Sequence, residues 1–455
     1  MVAPIPDAAV RLAHLVAGSG GRALLVGGCV RDLLLGRTPK DVDVEVFGVS
    51  SAQLRGLLEQ LGRVDAVGES FTVYKVAGLD VAIPRRESKT GRGHKGFTVM
   101  GDPGMPVEEA ARRRDFTINA ISRDPLTGDI VDPFEGRADL EARRLRVVDP
   151  HTFIDDSLRV LRAVQFAARF ELSVDDETRA LLRSIPIDDL PSERIWGEVE
   201  KLLLLADRPS IGLRLAKDIG IIDRVFPEMA ALDGCPQDAE WHPEGDVWIH
   251  TLMVVDQAHA RIEGLERGPA VTMMLGAICH DLGKPATTAM IDGRWRSPGH
   301  EAAGVAPTTA LLDRLNVHSL DGYDVRGQVL GLVTEHMRPG AFHKTPKNVG
   351  DGAFRRLALK VNLELLARFA EADCQGRTGA FDCSASAWFV DRARALGVSE
   401  AAPPPIVLGR HLLARGMTPG PEMGRVLRDL YEKQLDGAFT TVEEALGGRT
   451  SFPQI

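Results

Sequence analysis

Lys40-Asp41-Val42-Asp43-Val44-Glu45-Val46 alternates acidic side chains with valines. This two-residue period predicts a half-buried strand with Asp41, Asp43 and Glu45 on one face. Carboxylates aligned in this way call for a cation, and Mg²⁺ is satisfied by carboxylate, phosphate and water oxygens. We therefore predict that Asp41 and Asp43 hold Mg²⁺. Glu45 is expected to face solvent at the end of the strand, and Asp80, at the start of another short strand, is a further carboxylate candidate.

A glycine turn lies just upstream of this strand. Residues Ala23–Val26 read as a buried strand, Gly27-Gly28 as a tight turn, and Val30–Leu35 as a short helix that Gly36 stops. Glycines at a strand-to-helix turn let backbone N–H groups approach a phosphate closely. The segment lacks the spacing of a Walker loop. It predicts a phosphate-binding turn beside a metal site.

This arrangement resembles the nucleotidyltransferase core of the class II tRNA nucleotidyltransferase and bacterial poly(A) polymerase family. That family is marked by G-G-x-V-R-D followed by D-x-D. The matching residues here are Gly27, Gly28, Val30, Arg31, Asp32, Asp41 and Asp43. Four further elements match in the expected order: Arg113–Ala120, Asp132–Leu140, Asp155–Arg162 and Glu193–Glu198.

The resemblance and the apolar pattern together predict an α+β fold. An N-terminal, polymerase beta-like head with a mixed sheet is expected at residues 1–145. After about residue 150, strand signals fade and apolar residues recur at helical spacing. We expect a helical neck with a nucleotide-selecting motif at 146–232, an HD body at 233–385 and a helical, RNA-contacting tail at 386–455.

The resemblance also implies which residues bind the nucleotide. They are Gly28, Arg31, Arg114, Asp115, Asn119, Asp156, Arg159 and Arg162. In a helix beginning near Asp156, Arg159 and Arg162 can share its face. Cytosine and adenine both present an amino donor beside a ring-nitrogen acceptor, which suits one carboxylate and one guanidinium. The resemblance assigns this base reading to Asp156 and Arg159. The alternative is an acid capping a helix that carries surface arginines.

A second constellation in the middle of the chain resembles the HD metal-dependent phosphohydrolase domain. The resemblance implies that His250, His280, Asp281 and Asp373 are metal ligands, with His300 and His336 available for a second ion. Imidazole and carboxylate ligands suit Mn²⁺, Ni²⁺, Co²⁺ or Mg²⁺. Phosphatase and 2′,3′-cyclic phosphodiesterase activity are the expected reactions.

Bulk properties narrow the function further. The formal net charge of -9 argues against a protein that coats nucleic acid nonspecifically. Five scattered cysteines argue against a disulfide framework, and no apolar run is long enough for a membrane span, so a reduced cytoplasm is expected. The basic, glycine-rich segment from Ser88 to Gly104 reads as a long mobile loop.

The function predicted from these patterns is template-independent addition or repair of the 3′-terminal CCA of tRNA. The expected partners are the tRNA 3′ acceptor end, CTP and ATP. Three alternatives stay open: an A-adding tRNA nucleotidyltransferase, a poly(A) polymerase, and an HD-type nucleotide hydrolase or sensor that extends no RNA. The sequence sets no oligomeric state.

Overall fold

The computed structural model describes residues 5–67, 73–89 and 97–447. The chain divides into two compact units, Met1–Leu202 with Arg214–Gly220, and Leu203–Leu213 with Ile221–Ile455. The strands are β1 (Arg22–Val26), β2 (Val42–Phe47), β3 (Asp65–Val67), β4 (Val73–Val76), β5 (Leu79–Ala82), β6 (Arg85–Lys89), β7 (Phe97–Gly101), β8 (Ser122–Arg123), β9 (Ile130–Val131), β10 (Arg144–Leu145), β11 (Ser173–Val174), β12 (Ala289–Ile291) and β13 (Arg294–Arg296).

The helices up to residue 230 are α1 (Asp7–Gly18), α2 (Gly28–Leu34), α3 (Ser51–Leu58), α4 (Val107–Arg112), α5 (Gly136–Glu141), α6 (Pro150–Phe153), α7 (Leu158–Arg169), α8 (Asp176–Ser184), α9 (Ser192–Leu205), α10 (Pro209–Asp218), α11 (Ile221–Val225) and α12 (Pro227–Ala230). The later helices are α13 (Val247–His259), α14 (Arg267–Cys279), α15 (Lys284–Thr287), α16 (His300–Ala303), α17 (Val305–Arg314), α18 (Val325–Glu335), α19 (Arg338–Lys344), α20 (Asp351–Leu357), α21 (Leu363–Gln375), α22 (Ser384–Ala395), α23 (Gly409–Leu413), α24 (Pro421–Leu435) and α25 (Val442–Leu446). Thr117–Asn119 and Pro346–Asn348 form single 3₁₀ turns.

The first unit contains a seven-stranded mixed sheet in the order β3-β4-β5-β2-β1-β8-β9. Strands β2 and β5 run parallel, and the other neighbouring strands pair antiparallel. A mixed sheet in the head, followed by mostly helical structure, confirms the predicted α+β class. Strand β2 lies at the centre of this sheet, where both of its edges are paired.

The alternation in β2 separates a packed face from a carboxylate face. Val44 and Val46 are buried in one core with Leu12 of α1 and Leu54 of α3. Each valine packed there removes apolar surface from water, worth roughly 1.5–3 kcal/mol for a fully buried side chain. Because successive side chains of a strand point to opposite faces, this packing fixes Asp43 and Glu45 on the other face.

The segment Ser88–Gly104 departs from the sequence prediction of a loop. Strands β6 and β7 pair as an antiparallel hairpin, with Arg85 opposite Gly101 and Lys89 opposite Phe97. The run Phe97-Thr98-Val99-Met100 has β-type composition, which the neighbouring glycines and basic residues obscured in the sequence. Residues 90–96 of the predicted loop lie outside the described residues.

The second unit is mainly helical, apart from the short hairpin of β12 and β13. Its C-terminal part has a small core formed by Val407, Leu412, Met423, Phe439 and Leu446. Within the described ranges, no helix has the length and apolar character needed to cross a membrane. The four-domain division remains a prediction.

The expectation that the cysteines are reduced was wrong for one pair. Cys374 and Cys383 form a disulfide across nine residues of sequence separation. Cys279, in contrast, is a free cysteine that is fully buried. The pairing depends on α21 and the start of α22 approaching each other, which cysteine spacing alone does not reveal.

Candidate active sites

The carboxylates of β2 lie beside a third carboxylate from a neighbouring strand. In the parallel pairing of β2 with β5, Asp43 stands opposite Asp80. Burial, together with the like charges of Asp80 and Asp41, raises the pKa of Asp43, although Arg114 opposes the shift. Lys75 Nζ bonds both oxygens of Asp80, at 2.8 and 2.7 Å. The strand face therefore concentrates negative charge that a divalent cation would neutralise.

Magnesium suits this donor set. Carboxylate oxygens are hard ligands, and Mg²⁺ is commonly bound by one or two of them together with substrate phosphates. Asp41 directly precedes β2 rather than lying within it as the sequence predicted. Asp41 is exposed and Asp43 is half-buried, so the pair is accessible from solvent. Asp41 and Asp43 would hold the ion, and Asp80 is engaged by Lys75.

Glu45 does not face solvent as the sequence predicted. Its side chain is 18% exposed, and its Oε2 accepts a hydrogen bond of 3.3 Å from Arg114 Nη2. Arg114 follows α4 in the chain and reaches the carboxylate face of β2. A partner 69 residues away cannot be read from the strand itself. Arg114 thus places a fixed positive charge beside the predicted metal site.

Gly27 keeps this corner of the site open. Its φ of 71° lies in the left-handed region, which favours glycine. A Cβ at this position would lie 2.7 Å from Arg114 Nη1 and 3.8 Å from Asp43 Oδ2. A larger residue would displace the flexible end of Arg114, and the positive φ is the stronger reason why this position favours glycine.

Four predicted nucleotide-binding residues form one connected, mostly buried network. Arg162 Nε donates to Asp115 Oδ2 at 2.7 Å, and Asn119 Nδ2 donates to Asp115 Oδ1 at 3.0 Å. Arg31 Nη1 donates to Asn119 Oδ1 at 2.6 Å, and Arg31 also pairs with Asp32. Although burial favours the neutral acid, Arg162 and Asn119 lower the pKa of Asp115. The network joins α2 to α7.

Asp156 and Arg159 lie at the start of α7, which begins at Leu158 rather than at Asp156. Asp156 Oδ1 accepts from the Leu158 backbone N–H at 3.2 Å, and its Oδ2 lies 3.2 Å from Arg194 Nη2. Arg159 donates to the carbonyls of Thr152 and Arg113. Arg194, the partner of Asp156, lies in the Glu193–Glu198 element, but the sequence pattern does not reveal that the two residues pair.

The predicted HD ligands converge from three helices of the second unit. His250 lies on α13, His280 and Asp281 directly follow α14, and Asp373 lies on α21. His250 Nε2 is 3.0 Å from Asp373 Oδ1 and 4.0 Å from Asp281 Oδ2. His280 Nε2 is 3.1 Å from Asp281 Oδ2 and 4.0 Å from Asp373 Oδ1. The four side chains predicted from the sequence are thus brought together.

This ligand set fits a metal ion. His280 Nε2 is buried and makes no well-aligned hydrogen bond, although Asp281 Oδ2 lies 3.1 Å away, and this is costly unless another ligand satisfies the nitrogen. Burial opposes charge on His250, but its interactions with Asp373 and Glu244 raise its pKa to about 9. The nearby histidines hold the pKa of Asp373 well below its usual range despite burial. Two carboxylates and two imidazoles would hold a divalent cation, with Asp281 also paired to Lys284 Nζ at 2.8 Å.

His300 and His336 lie next to these four side chains, and their role with a second ion stays a prediction. His300 Nε2 lies 3.2 Å from His336 Nε2 and 3.5 Å from Asp281 Oδ1. Burial lowers the pKa of His336 to about 4, so its ring is neutral at pH 7. Gly283 permits the approach of these elements, because a Cβ there would lie 2.0 Å from the His300 carbonyl oxygen.

Two family models match the chain. A model described as the poly A polymerase head domain matches residues 23–146, and one described as the probable RNA and SrmB-binding site of polymerase A matches residues 172–232. A relative from Xanthomonas oryzae pv. oryzae (strain MAFF 311018), named multifunctional CCA protein, is 38% identical over 421 residues, covering 89% of this chain and 95% of the relative. A relative of the same name from Stenotrophomonas maltophilia (strain K279a) is 44% identical over 303 residues, covering 64% of this chain and 71% of the relative.

Solved structures share the fold. The Bacillus stearothermophilus CCA-adding enzyme in complex with CTP matches with a TM-score of 0.63 at 20% identity, covering 95% of this chain and 93% of that chain. The mixed sheet, the carboxylates of β2 and the matched head model define a nucleotidyltransferase of the poly(A) polymerase type. Within that class, the length and identity of the match to the multifunctional CCA proteins show that the chain belongs to the family of CCA-adding tRNA nucleotidyltransferases.

Proposed function

We propose that this protein adds or repairs the 3′-terminal CCA of tRNA, using CTP and ATP without a template. The carboxylates of β2, held on one face beside Arg114 and the Gly27 turn, carry the proposal. Its substrates are the tRNA 3′ acceptor end and the two nucleoside triphosphates. The activity is assigned to the cytoplasm, where tRNA acts.

The nucleotidyl transfer would use Asp41 and Asp43. When bound, divalent ions stabilise charge on the transferring phosphoryl group and on the attacking hydroxyl. Asp43 is fixed by the packing of the valines beside it in β2, so its position requires no rearrangement. Arg114 contributes a positive charge at the same face, where a triphosphate would lie beside the open Gly27 turn.

Nucleotide selection is assigned to Asp156 and Arg159. A carboxylate oxygen accepts an exocyclic amino hydrogen, and a guanidinium donates to a ring nitrogen, a pattern shared by cytosine and adenine. Guanine or uracil would leave a buried polar group unpaired, at about 1–3 kcal/mol. Arg194 pairs with Asp156. The network of Arg31, Asp115, Asn119 and Arg162 stabilises α7, which carries Arg159.

We also propose a metal-dependent phosphohydrolase activity in the second unit. The observation that carries it is the convergence of His250, His280 and Asp281 with Asp373, where Nε2 of His280 makes no well-aligned hydrogen bond. Mn²⁺, Ni²⁺, Co²⁺ or Mg²⁺ bound there would polarise a phosphate and lower the pKa of a water ligand. The side chains of His250 and His280 orient toward this common point. Phosphomonoesters and 2′,3′-cyclic phosphates are the proposed substrates.

The experiment for the transferase supplies CTP and ATP separately, with Mg²⁺, to tRNA that ends before CCA, after C, or after CC. The proposal expects CTP incorporation on the first two substrates and ATP incorporation on the third. Incorporation of ATP alone, on the CC-ended substrate only, would assign an A-adding enzyme. Long A-tracts on unrelated RNA would assign a poly(A) polymerase.

The experiment for the phosphohydrolase incubates metal-free protein with each of the four metals and a 2′,3′-cyclic nucleotide. Hydrolysis that appears with metal and is abolished in His280→Ala supports the proposal. If no metal supports hydrolysis, the phosphohydrolase proposal is wrong, and the second unit would be a helical support for RNA.

A further inference from the structure

A buried carboxylate lies behind the predicted metal ligand His250. Glu244 precedes α13, and its side chain is 1% exposed. Glu244 Oε1 lies 2.9 Å from His250 Nδ1, whereas Nε2 on the other side of the ring faces Asp373 at 3.0 Å. One imidazole therefore has a carboxylate at each nitrogen, and only one of these carboxylates belongs to the predicted ligand set.

The position of Glu244 is itself fixed by other contacts. His242 Nδ1 lies 2.9 Å from Oε1, and the backbone N–H of Thr378 donates to Oε2 at 3.2 Å. Both carboxylate oxygens are therefore engaged.

We infer that Glu244 is a positioning residue for His250. A carboxylate beside Nδ1 accepts the proton of that nitrogen, which leaves the lone pair on Nε2 directed at the metal. It also fixes the ring orientation and increases the basicity of Nε2. This inference rests on the proposed phosphohydrolase site and adds a residue that the H, H-D, D pattern does not contain.

A purely structural role makes a different prediction. Glu244 also ties the segment after Asp373 to α13 through Thr378. If this tie were its only role, removing the carboxylate would lower the unfolding midpoint of the metal-free protein, and the affinity of the folded protein for metal would stay unchanged. Metal affinity therefore separates the two roles.

The experiment measures Mn²⁺ binding by titration calorimetry to the full-length protein and to Glu244→Ala and Glu244→Gln. Loss of an outer-shell partner typically weakens metal binding by about 10–100-fold, and we expect this loss for Glu244→Ala. Glu244→Gln, whose amide oxygen can still accept from Nδ1, should recover part of the affinity. It is close in size to glutamate and serves as the test if the alanine variant does not fold.

The matched control is Glu240→Ala. Glu240 lies in the same segment, its side chain is 64% exposed, and it pairs with Arg294 rather than with a ligand. Its replacement should leave Mn²⁺ affinity within twofold of the wild-type value. Nucleotide addition should be unchanged in all three variants, since the carboxylates of β2 lie in the other unit.

Two results would overturn the inference alone. Wild-type Mn²⁺ affinity in folded Glu244→Ala would make the residue structural, and loss of one bound ion per chain would make it a ligand. If Asp43→Asn protein, in which only the site of the second unit remains, binds no Mn²⁺, Ni²⁺, Co²⁺ or Mg²⁺, the phosphohydrolase proposal fails, and the inference fails with it.

Discussion

Asp43→Asn separates a metal-binding role of the β2 carboxylate from a structural one. The change keeps the shape of the side chain and removes its charge. Metal stabilisation of a phosphoryl-transfer transition state is worth several kcal/mol. If the variant loses about 4 kcal/mol of it, the rate falls about 10³-fold, because each 1.36 kcal/mol is tenfold. CTP and ATP incorporation should fall together, since one site serves both.

The same variant should fold at least as well as the wild type. Burial and the charges of Asp80 and Asp41 raise the pKa of Asp43, so its ionised form is unfavourable in the fold at pH 7. Removing that charge predicts an unchanged or higher thermal midpoint. The control is Asp65→Asn, an exposed residue of β3, which should leave both activity and midpoint unchanged.

Single-turnover transfer and thermal unfolding would be measured on the same preparations. A loss of less than tenfold in transfer by folded Asp43→Asn, or a lowered midpoint with activity retained, would refute the metal-binding role of this residue.

Three further predictions concern the other residues of the two sites. Asp156→Ala or Arg159→Ala should raise the rate of UTP and GTP incorporation relative to that of CTP and ATP. If all four rates fall equally, these residues have a structural role and do not select the base. Asp115→Ala should destabilise the protein by about 3 kcal/mol in urea unfolding, since it leaves the Arg162 guanidinium without its partner. Because the pKa of Asp115 is lowered, its contribution should be present at neutral pH and lost as pH falls through that lowered value. His280→Ala or Asp281→Ala should abolish hydrolysis of 2′,3′-cyclic nucleotides while CTP incorporation persists, and retained hydrolysis would exclude them as ligands.

Local sequence patterns predicted the features that depend on neighbouring residues, such as which side chains share one face of a strand. The acid and valine alternation predicted that the carboxylates share one face because a strand has a period of two, and Asp43 and Glu45 do lie on the same face of β2, which begins just after Asp41. The lateral order of the sheet could not be read in this way. Strand β2 pairs in parallel with β5, and this pairing brings Asp80 opposite Asp43. It depends on packing between segments that are distant in the chain.

The missed contacts share one physical cause. Arg114 reaches Glu45 across 69 residues, and Arg194 lies 38 residues from Asp156 in the chain. A charged side chain can pair locally or over a long range, and no periodicity distinguishes the two outcomes. The Cys374 to Cys383 pairing is similarly a product of helix placement. The HD ligands were found because their residue types and order form a motif, whereas Glu244 lies outside it.

The most direct test of the account is the sequence of the product made on tRNA that ends before CCA, with all four nucleoside triphosphates and Mg²⁺ present. The account predicts that the wild-type protein adds C, C and A in that order and then stops, and that Asp43→Asn adds nothing on the same timescale. A product extended by A alone, a tail of many residues, or unchanged tRNA with the wild-type protein would contradict it.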